Sequence, residues 1–256
     1  MINHQHVSVI IPAKDEEKAI GLVVNDLLKL TVDHATAPLI DNIIVCDNGS
    51  QDKTRDVAKE AGATVVSQAI PGYGIACLTA MQHLPKTDIV LFIDGDHSFY
   101  AQQAIPLLNA ISEGADLAIG SRTLGKQERG ALTPPQIFGN FLASLLIRGL
   151  WNVPVTDLGP FRAISFTALT KINMQDERFG WTVEMQVKAA QHQMRVEEYA
   201  VDTRRRIGVS KISGTIRGTI GAAHGIVGTI VNLWLQQSRK KHRTISPSHH
   251  SKEHSL

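Results

Sequence analysis

Residues 88–98, DIVLFIDGDHS, decide the fold: a short apolar run closes on two aspartates separated by one glycine. A continuous run of this kind suits a strand buried on both faces, as in a parallel sheet. Upstream, Val7 to Pro12 (VSVIIP), Asn42 to Asp47 (NIIVCD) and the shorter TVVS at 64–67 carry the same β-branched signature. Helical patterns separate them. Ile20, Val23, Val24, Leu27 and Leu28 recur at helix spacing, QDKTRDVAKEAGA closes at Gly62, and GYGIACLTAMQHL follows a Pro-Gly turn. A helix around Ala101 to Ser112 then leads to another strand, DLAIGSR. Such alternation predicts an α/β fold with a mostly parallel, doubly wound central sheet and helices on both faces.

Beyond Gly125 the pattern changes. A loop at Gly130 to Pro135 precedes a helix over Gln136 to Leu150, an irregular stretch VPVTDLGPFRAIS, a helix near Trp181 to His192, and a strand in RVEEYAVDTRRR. No Pro/Ser/Gly linker divides the halves, so residues 1–215 are expected to form one domain. Residues 216–240 read as a C-terminal apolar helix. Ile216 to Leu235 is long enough to span a bilayer but is interrupted by Arg217, His224 and Asn232, and the basic RKKHR follows it. It is therefore read as an interfacial or packing helix, open to a membrane surface or membrane partner. Residues 241–256 are polar and expected to be disordered.

Composition narrows the function classes. A 43% hydrophobic and 20% charged chain of 256 residues can bury a sizeable core. A net charge of +2 and 5% aromatic content argue against nucleic acid as a partner, which calls for a concentrated basic face or base-stacking platforms. Cys46 and Cys77 lie in apolar contexts with no metal-ligand spacing, as expected for small core residues in a reducing compartment. The N-terminal residues lack a basic segment and a small-residue cleavage site, so a cytoplasmic protein is expected, with peripheral contact at the inner membrane face through the C-terminal helix.

In open α/β sheets ligands bind beyond the carboxyl ends of the strands. Three strands here end in acidic or polar clusters: IIPAKDEE, IVCDNGS and LFIDGDHS. Asp94 and Asp96, spaced by Gly95, can offer two hard oxygen ligands to Mg²⁺ or Mn²⁺, which in turn takes diphosphate oxygens. Asp47 points toward the same edge and is a candidate acceptor for a base N–H, while Asn48 to Asp52 also suit a tight turn and helix cap. Pro12 to Glu16 are candidates for base and ribose contacts. Neither GxGxxG nor a Gly-Lys-Ser/Thr phosphate loop occurs, so dehydrogenase and P-loop readings lose support. Arg204 to Arg206 and Lys211 sit in a glycine- and serine-containing segment suited to closing over phosphates, and Arg122 ends the GSR strand.

Together VSVIIPAKDEEKAI, IIVCDNGSQDKT, GYGIACLTAM, IVLFIDGDHS, AIGSR, VTDLGPFRAI, FGWTVEMQVKA and RRRIGVSKISGT resemble family 2 glycosyltransferases, in particular the dolichyl- or polyprenyl-phosphate sugar synthase-like branch. The resemblance covers most of Val7 to Thr215. It implies the nucleotide-diphospho-sugar (GT-A) fold and metal-dependent, inverting transfer of a hexose from a UDP- or GDP-sugar donor. By the same resemblance Pro12, Lys14, Glu16, Val45 and Asp47 line the nucleotide, Asp94, Gly95 and Asp96 meet the diphosphate and metal, and Arg122, Arg205 and Lys211 bind phosphate. The expected acceptor is a polyprenyl or dolichyl phosphate, an anion that needs no general base. A hydroxyl acceptor is the alternative and requires a carboxylate within reach, for which Asp157 and Glu184 are the candidates. A nucleotidyltransferase would want a basic glycine-rich loop where AKDEE stands, and a non-catalytic nucleotide-sugar sensor would have no use for the paired aspartates.

Overall fold

The computed structural model describes residues 1–31, 38–208 and 216–245, with side chains in the last helix from 225 to 239. Lys211 lies outside the described residues, as does the tail from 246. The sheet has seven strands in the order β3-β2-β1-β4-β6-β5-β7. These are β1 (Val7–Ala13), β2 (Asn42–Asp47), β3 (Thr64–Ser67), β4 (Ile89–Phe92), β5 (Leu117–Ser121), β6 (Arg162–Ser165) and β7 (Val196–Ala200). The first four pair in parallel, as the apolar runs predict. β6 is the exception. It comes out of the stretch read as irregular, and it lies antiparallel to both β4 and β5.

Both faces of the sheet are covered, which is why β4 is apolar throughout and β1 is apolar but for the fully buried Ser8. On one face Val9, Ile11 and Leu91 pack with α1 (Ile20–Leu28), α2 (Thr54–Glu60) and α4 (Ala104–Ser112). On the other, Ile10, Ile44, Val90 and Phe92 meet α3 (Tyr73–Met81), α6 (Phe166–Ile172) and α7 (Trp181–Gln191). Trp181 sets its ring edge-on to Phe92 at 5.9 Å between centroids, an arrangement the ring quadrupoles favour. Cys46 and Cys77 are buried and unbridged in this second layer. Burial, with Asp47 next to it, pushes the Cys46 thiol up to about 12.

A third cluster joins α5 (Pro134–Trp151), α7 and α8 (Ile216–Ile245) through Ala143, Ile147, Val183, Val187, Ile230 and Leu233. Thr133 and Gln136 form a reciprocal capping box that starts α5 two residues before the expected helix. The boundary expected at 240 falls inside α8, which continues to Ile245. Among the described residues no helix is long and apolar enough to cross a membrane.

Candidate active site

The site begins with strand register. Ala13 lies opposite Asp47 in the β1–β2 pair, and Ile10 lies opposite Phe92 in the β1–β4 pair. Asp47, the 13–17 loop and the Asp94–Asp96 turn therefore leave three adjacent parallel strands at one edge. The first two loops are zipped together. Asp15 N donates to Ser50 Oγ (2.9 Å), Glu16 N to Thr54 Oγ1 (2.7 Å), and Gln51 N to Asp15 Oδ1 (2.7 Å). Asp47 is 8% exposed and accepts from Ser50 N at 3.3 Å.

Asn48 extends the chain of contacts toward β4. Its Oδ1 accepts from Gly72 N (2.8 Å), and its amide donates to the carbonyls of Gln68 and Ile70. This fixes the start of α3, from which the Tyr73 hydroxyl donates to Asp94 Oδ1 at 3.1 Å. Two glycines allow α3 to sit that close to the 173–180 segment. A Cβ on Gly72 would lie 2.4 Å from the Glu177 carbonyl, and one on Gly74 would lie 1.9 Å from that of Asp176.

The acidic pair is electrostatically loaded. Burial and the neighbouring Asp96 push Asp94 up to about 6, against the opposing pull of Arg206, Tyr73 and Arg122. Asp96 accepts from Ser98 N (3.0 Å) on one oxygen and pairs with Arg206 Nη2 (3.1 Å) on the other. Gly95 lets this turn lie against β1, since a Cβ there would meet Ile20 at 3.3 Å and Ile11 at 3.4 Å. His97 adopts a left-handed φ of 59° and turns its Nε2 to Asp26, 2.9 Å away. Asp94, whose ionisation burial and the adjacent Asp96 both oppose, suits a divalent cation. Among the described residues no cluster of three or more His, Cys, Asp or Glu side chains forms a closed cage. That leaves a two-carboxylate donor set open to phosphate oxygens, as such a cation requires.

Facing the carboxylates is a basic wall. Arg122 grips Asp157 with two prongs, Nε to Oδ2 at 2.8 Å and Nη2 to Oδ1 at 2.6 Å. Arg204 donates to the His97 carbonyl (2.7 Å) and lies over the Tyr100 ring at 4.5 Å. Asp94, Ser98, Arg122, Gln136, Arg204 and Arg206 are among the residues around a small cavity of about 30 Å³.

Several expectations need correction. Val45 is fully buried in the core behind β1, where its side chain cannot touch a nucleotide. Arg205 turns away: its Nε donates to the Arg129 carbonyl (2.7 Å), and Arg206 is the member of the run that meets Asp96. Neither candidate base is a free carboxylate. Asp157 is 0% exposed and also accepts from Arg122 N, so its oxygens hold the arginine. Glu184 accepts from the amides of Gln175 and Asp176 and pairs with Lys188 at 2.6 Å. Pro12, Lys14 and Glu16 remain half-buried on the edge beside Asp47, with Gly208 close to the Glu16 carboxylate. Tyr73 and Asn48 join the site without a sequence signal of their own. Nothing in a Gly-Tyr-Gly helix start or an Asp-Asn turn announces contacts made across the sheet.

Residues 8–172 match the model of the family described as glycosyl transferase family 2. An uncharacterized glycosyltransferase of Mycobacterium tuberculosis is 33% identical over 217 residues, covering 84% of this chain and 93% of the relative. A dolichyl-phosphate hexose transferase of Haloferax volcanii is 28% identical over 209 residues, 80% of this chain and 86% of its own. Among solved structures, glucosyl-3-phosphoglycerate synthase from Mycobacterium tuberculosis, in complex with Mn²⁺, UDP and phosphoglyceric acid, superposes with a TM-score of 0.71 at 23% identity, over 90% of this chain and 79% of its own. The α/β GT-A expectation holds. The expectation of a polyprenyl or dolichyl phosphate acceptor and lipid partner does not: the similar solved structure holds phosphoglyceric acid with its UDP and Mn²⁺. With the family model spanning more than half of its length, the chain belongs to glycosyl transferase family 2.

Proposed function

We propose that the protein transfers a hexose from a UDP-sugar, with Mn²⁺ or Mg²⁺ bound, to a hydroxyl on a small anionic acceptor of the phosphoglycerate kind. One observation carries this reading: Asp94 lines a small cavity together with Arg122, Arg204 and Arg206, and Asp96 pairs with Arg206 at its side. Cation and anion sites so juxtaposed fit a diphosphate on one side and an acidic acceptor on the other. Asp94 and Asp96 would hold the divalent cation, which offsets charge on the departing nucleoside diphosphate. Asp47 accepts a hydrogen bond from the base, with Pro12, Lys14 and Glu16 beside it. Arg122, kept in one orientation by Asp157, binds an acceptor or phosphate oxygen, and that positioning supplies much of the rate.

The test is UDP release from UDP-glucose, with and without Mn²⁺ and phosphoglyceric acid. Release that needs both, and that is lost in Asp96→Asn, is the expected result. Full Mn²⁺-dependent turnover in Asp96→Asn would overturn the metal assignment. Acceptor-independent release would remove the acceptor class.

A further inference from the structure

Arg206 is one of three arginines at the cavity, and its situation differs from that of the other two. Arg122 is clamped by Asp157, and Arg204 is tied to two backbone carbonyls and stacked on Tyr100. The ion pair of Arg206 among the described residues is with Asp96 itself, Nη2 to Oδ2 at 3.1 Å. The other oxygen of Asp96 already accepts from Ser98 N, and Asp94 Oδ1 accepts from Tyr73. One carboxylate oxygen cannot serve a guanidinium and a divalent cation at ion-pair distance without strong like-charge repulsion.

We propose that Arg206 is an exchangeable stand-in for the cation: it neutralises Asp96 while the donor is absent and moves onto the diphosphate when the cation and donor arrive together. The inference rests on the proposed function, because it takes Asp96 as the residue that receives the metal. The backbone supports an exchange confined to the side chain. Ile207 N donates to the Asp96 carbonyl at 3.0 Å, so the chain beside Arg206 is pinned to the aspartate whichever partner the guanidinium holds. At 30% exposure the Arg206 side chain is partly in solvent, whereas Asp96 is 5% exposed. The arginine is the partner free to swing. A diphosphate offers it several anionic oxygens in place of the one it gives up.

Competition at Asp96 makes the metal and the nucleotide depend on each other. The metal alone must displace a cation and leave it without a partner; the metal with UDP gives that cation a new one. UDP therefore tightens Mn²⁺ binding, and by linkage Mn²⁺ tightens UDP by the same factor.

The experiment titrates Mn²⁺ into wild type, Arg206→Gln and Arg205→Gln, each with and without UDP, following unbound Mn²⁺ by electron paramagnetic resonance. Arg205→Gln removes an equal charge from the neighbouring residue, whose guanidinium lies on the Arg129 carbonyl, and so measures the general field effect. Without UDP, Arg206→Gln is expected to bind Mn²⁺ about tenfold more tightly than Arg205→Gln, with the gain from adding UDP reduced by a similar factor. Arg206→Lys, which keeps the charge, is expected to stay near wild type. Equal Mn²⁺ affinity of the two glutamine variants without UDP overturns the exchange while leaving the metal site standing. Absence of Mn²⁺ binding to wild type even with UDP overturns the exchange and the metal reading together.

Discussion

Asp157 and Arg122 form the most completely satisfied charge pair at the site: the aspartate is 0% exposed and takes the arginine's Nε, Nη2 and backbone N–H on its two oxygens. With both oxygens holding the arginine and no surface exposed, the aspartate is not placed to take a substrate proton. Its effect on chemistry runs through the guanidinium it aims.

Removing Asp157 strands a mostly buried cation. Asp157→Ala is expected to destabilise the protein by about 3–5 kcal/mol, as for other broken buried pairs. Arg122→Lys should be milder in stability yet still raise the acceptor KM, because an ammonium cannot match the two-pronged geometry. Scanning calorimetry and initial rates at varied acceptor concentration check both outcomes. A wild-type KM in Arg122→Lys would take Arg122 out of the binding wall.

Asp94 predicts a pH dependence with a definite sign. Its carboxyl is held at about 6, above the ordinary 3.8, so the folded state keeps a proton that the unfolded chain has lost between those values. The favourable contribution of the protonated group is complete below about pH 4 and disappears as the pH rises through about 6. Asp94→Asn should therefore melt higher than wild type at pH 7.5 without metal, by about 1–3 kcal/mol. The two should converge near pH 4. A difference that stays constant across the melting series would contradict this origin.

Glu184 separates a structural carboxylate from a catalytic one. It caps the 175–176 amides and pairs with Lys188. Glu184→Gln is expected to lower stability by about 1–3 kcal/mol, with kcat of the folded fraction little changed. A fall in kcat of about 100-fold or more at unchanged melting temperature would restore it as a general base.

Gly74 is predicted to tolerate no side chain. A methyl group there would meet the Asp176 carbonyl at 1.9 Å and must push α3 away from the 173–180 segment. Gly74→Ala should cost about 1–3 kcal/mol and weaken Mn²⁺ affinity as Tyr73 loses its register with Asp94. Gly139→Ala, which meets nothing within 4 Å, is the matched control.

Much of this architecture is legible in the amino-acid order. The apolar runs that become β1, β2 and β4 announce themselves because a strand covered on both faces is mostly apolar, and the acidic residues after them mark the edge where Asp47, Asp94 and Asp96 gather. β6 is hidden for the opposite reason. Gly159, Pro160 and Arg162 break its apolar pattern, yet Arg162 is fully buried because its guanidinium finds the Gly159 and Thr182 carbonyls at 3.0 and 2.9 Å. Periodicity cannot foresee a buried cation supported by carbonyls from elsewhere in the fold. The choice between Arg205 and Arg206 fails similarly, since nothing local tells which side of an irregular segment faces the cleft. Asp157 and Glu184 read as candidate bases because the arginine, lysine and backbone amides that occupy their oxygens are visible only in three dimensions.

The late arrival of β6 has a consequence for how the protein is made. β4, the most apolar strand, gains its second neighbour only when the chain has been synthesised past Ser165, and β5, made earlier, joins the sheet through that same strand. Until then a nascent chain exposes a hydrophobic edge able to recruit other strands. Fragments ending before 162 should therefore aggregate rather than fold, and ribosome-bound chains of that length are where chaperone capture is expected to peak.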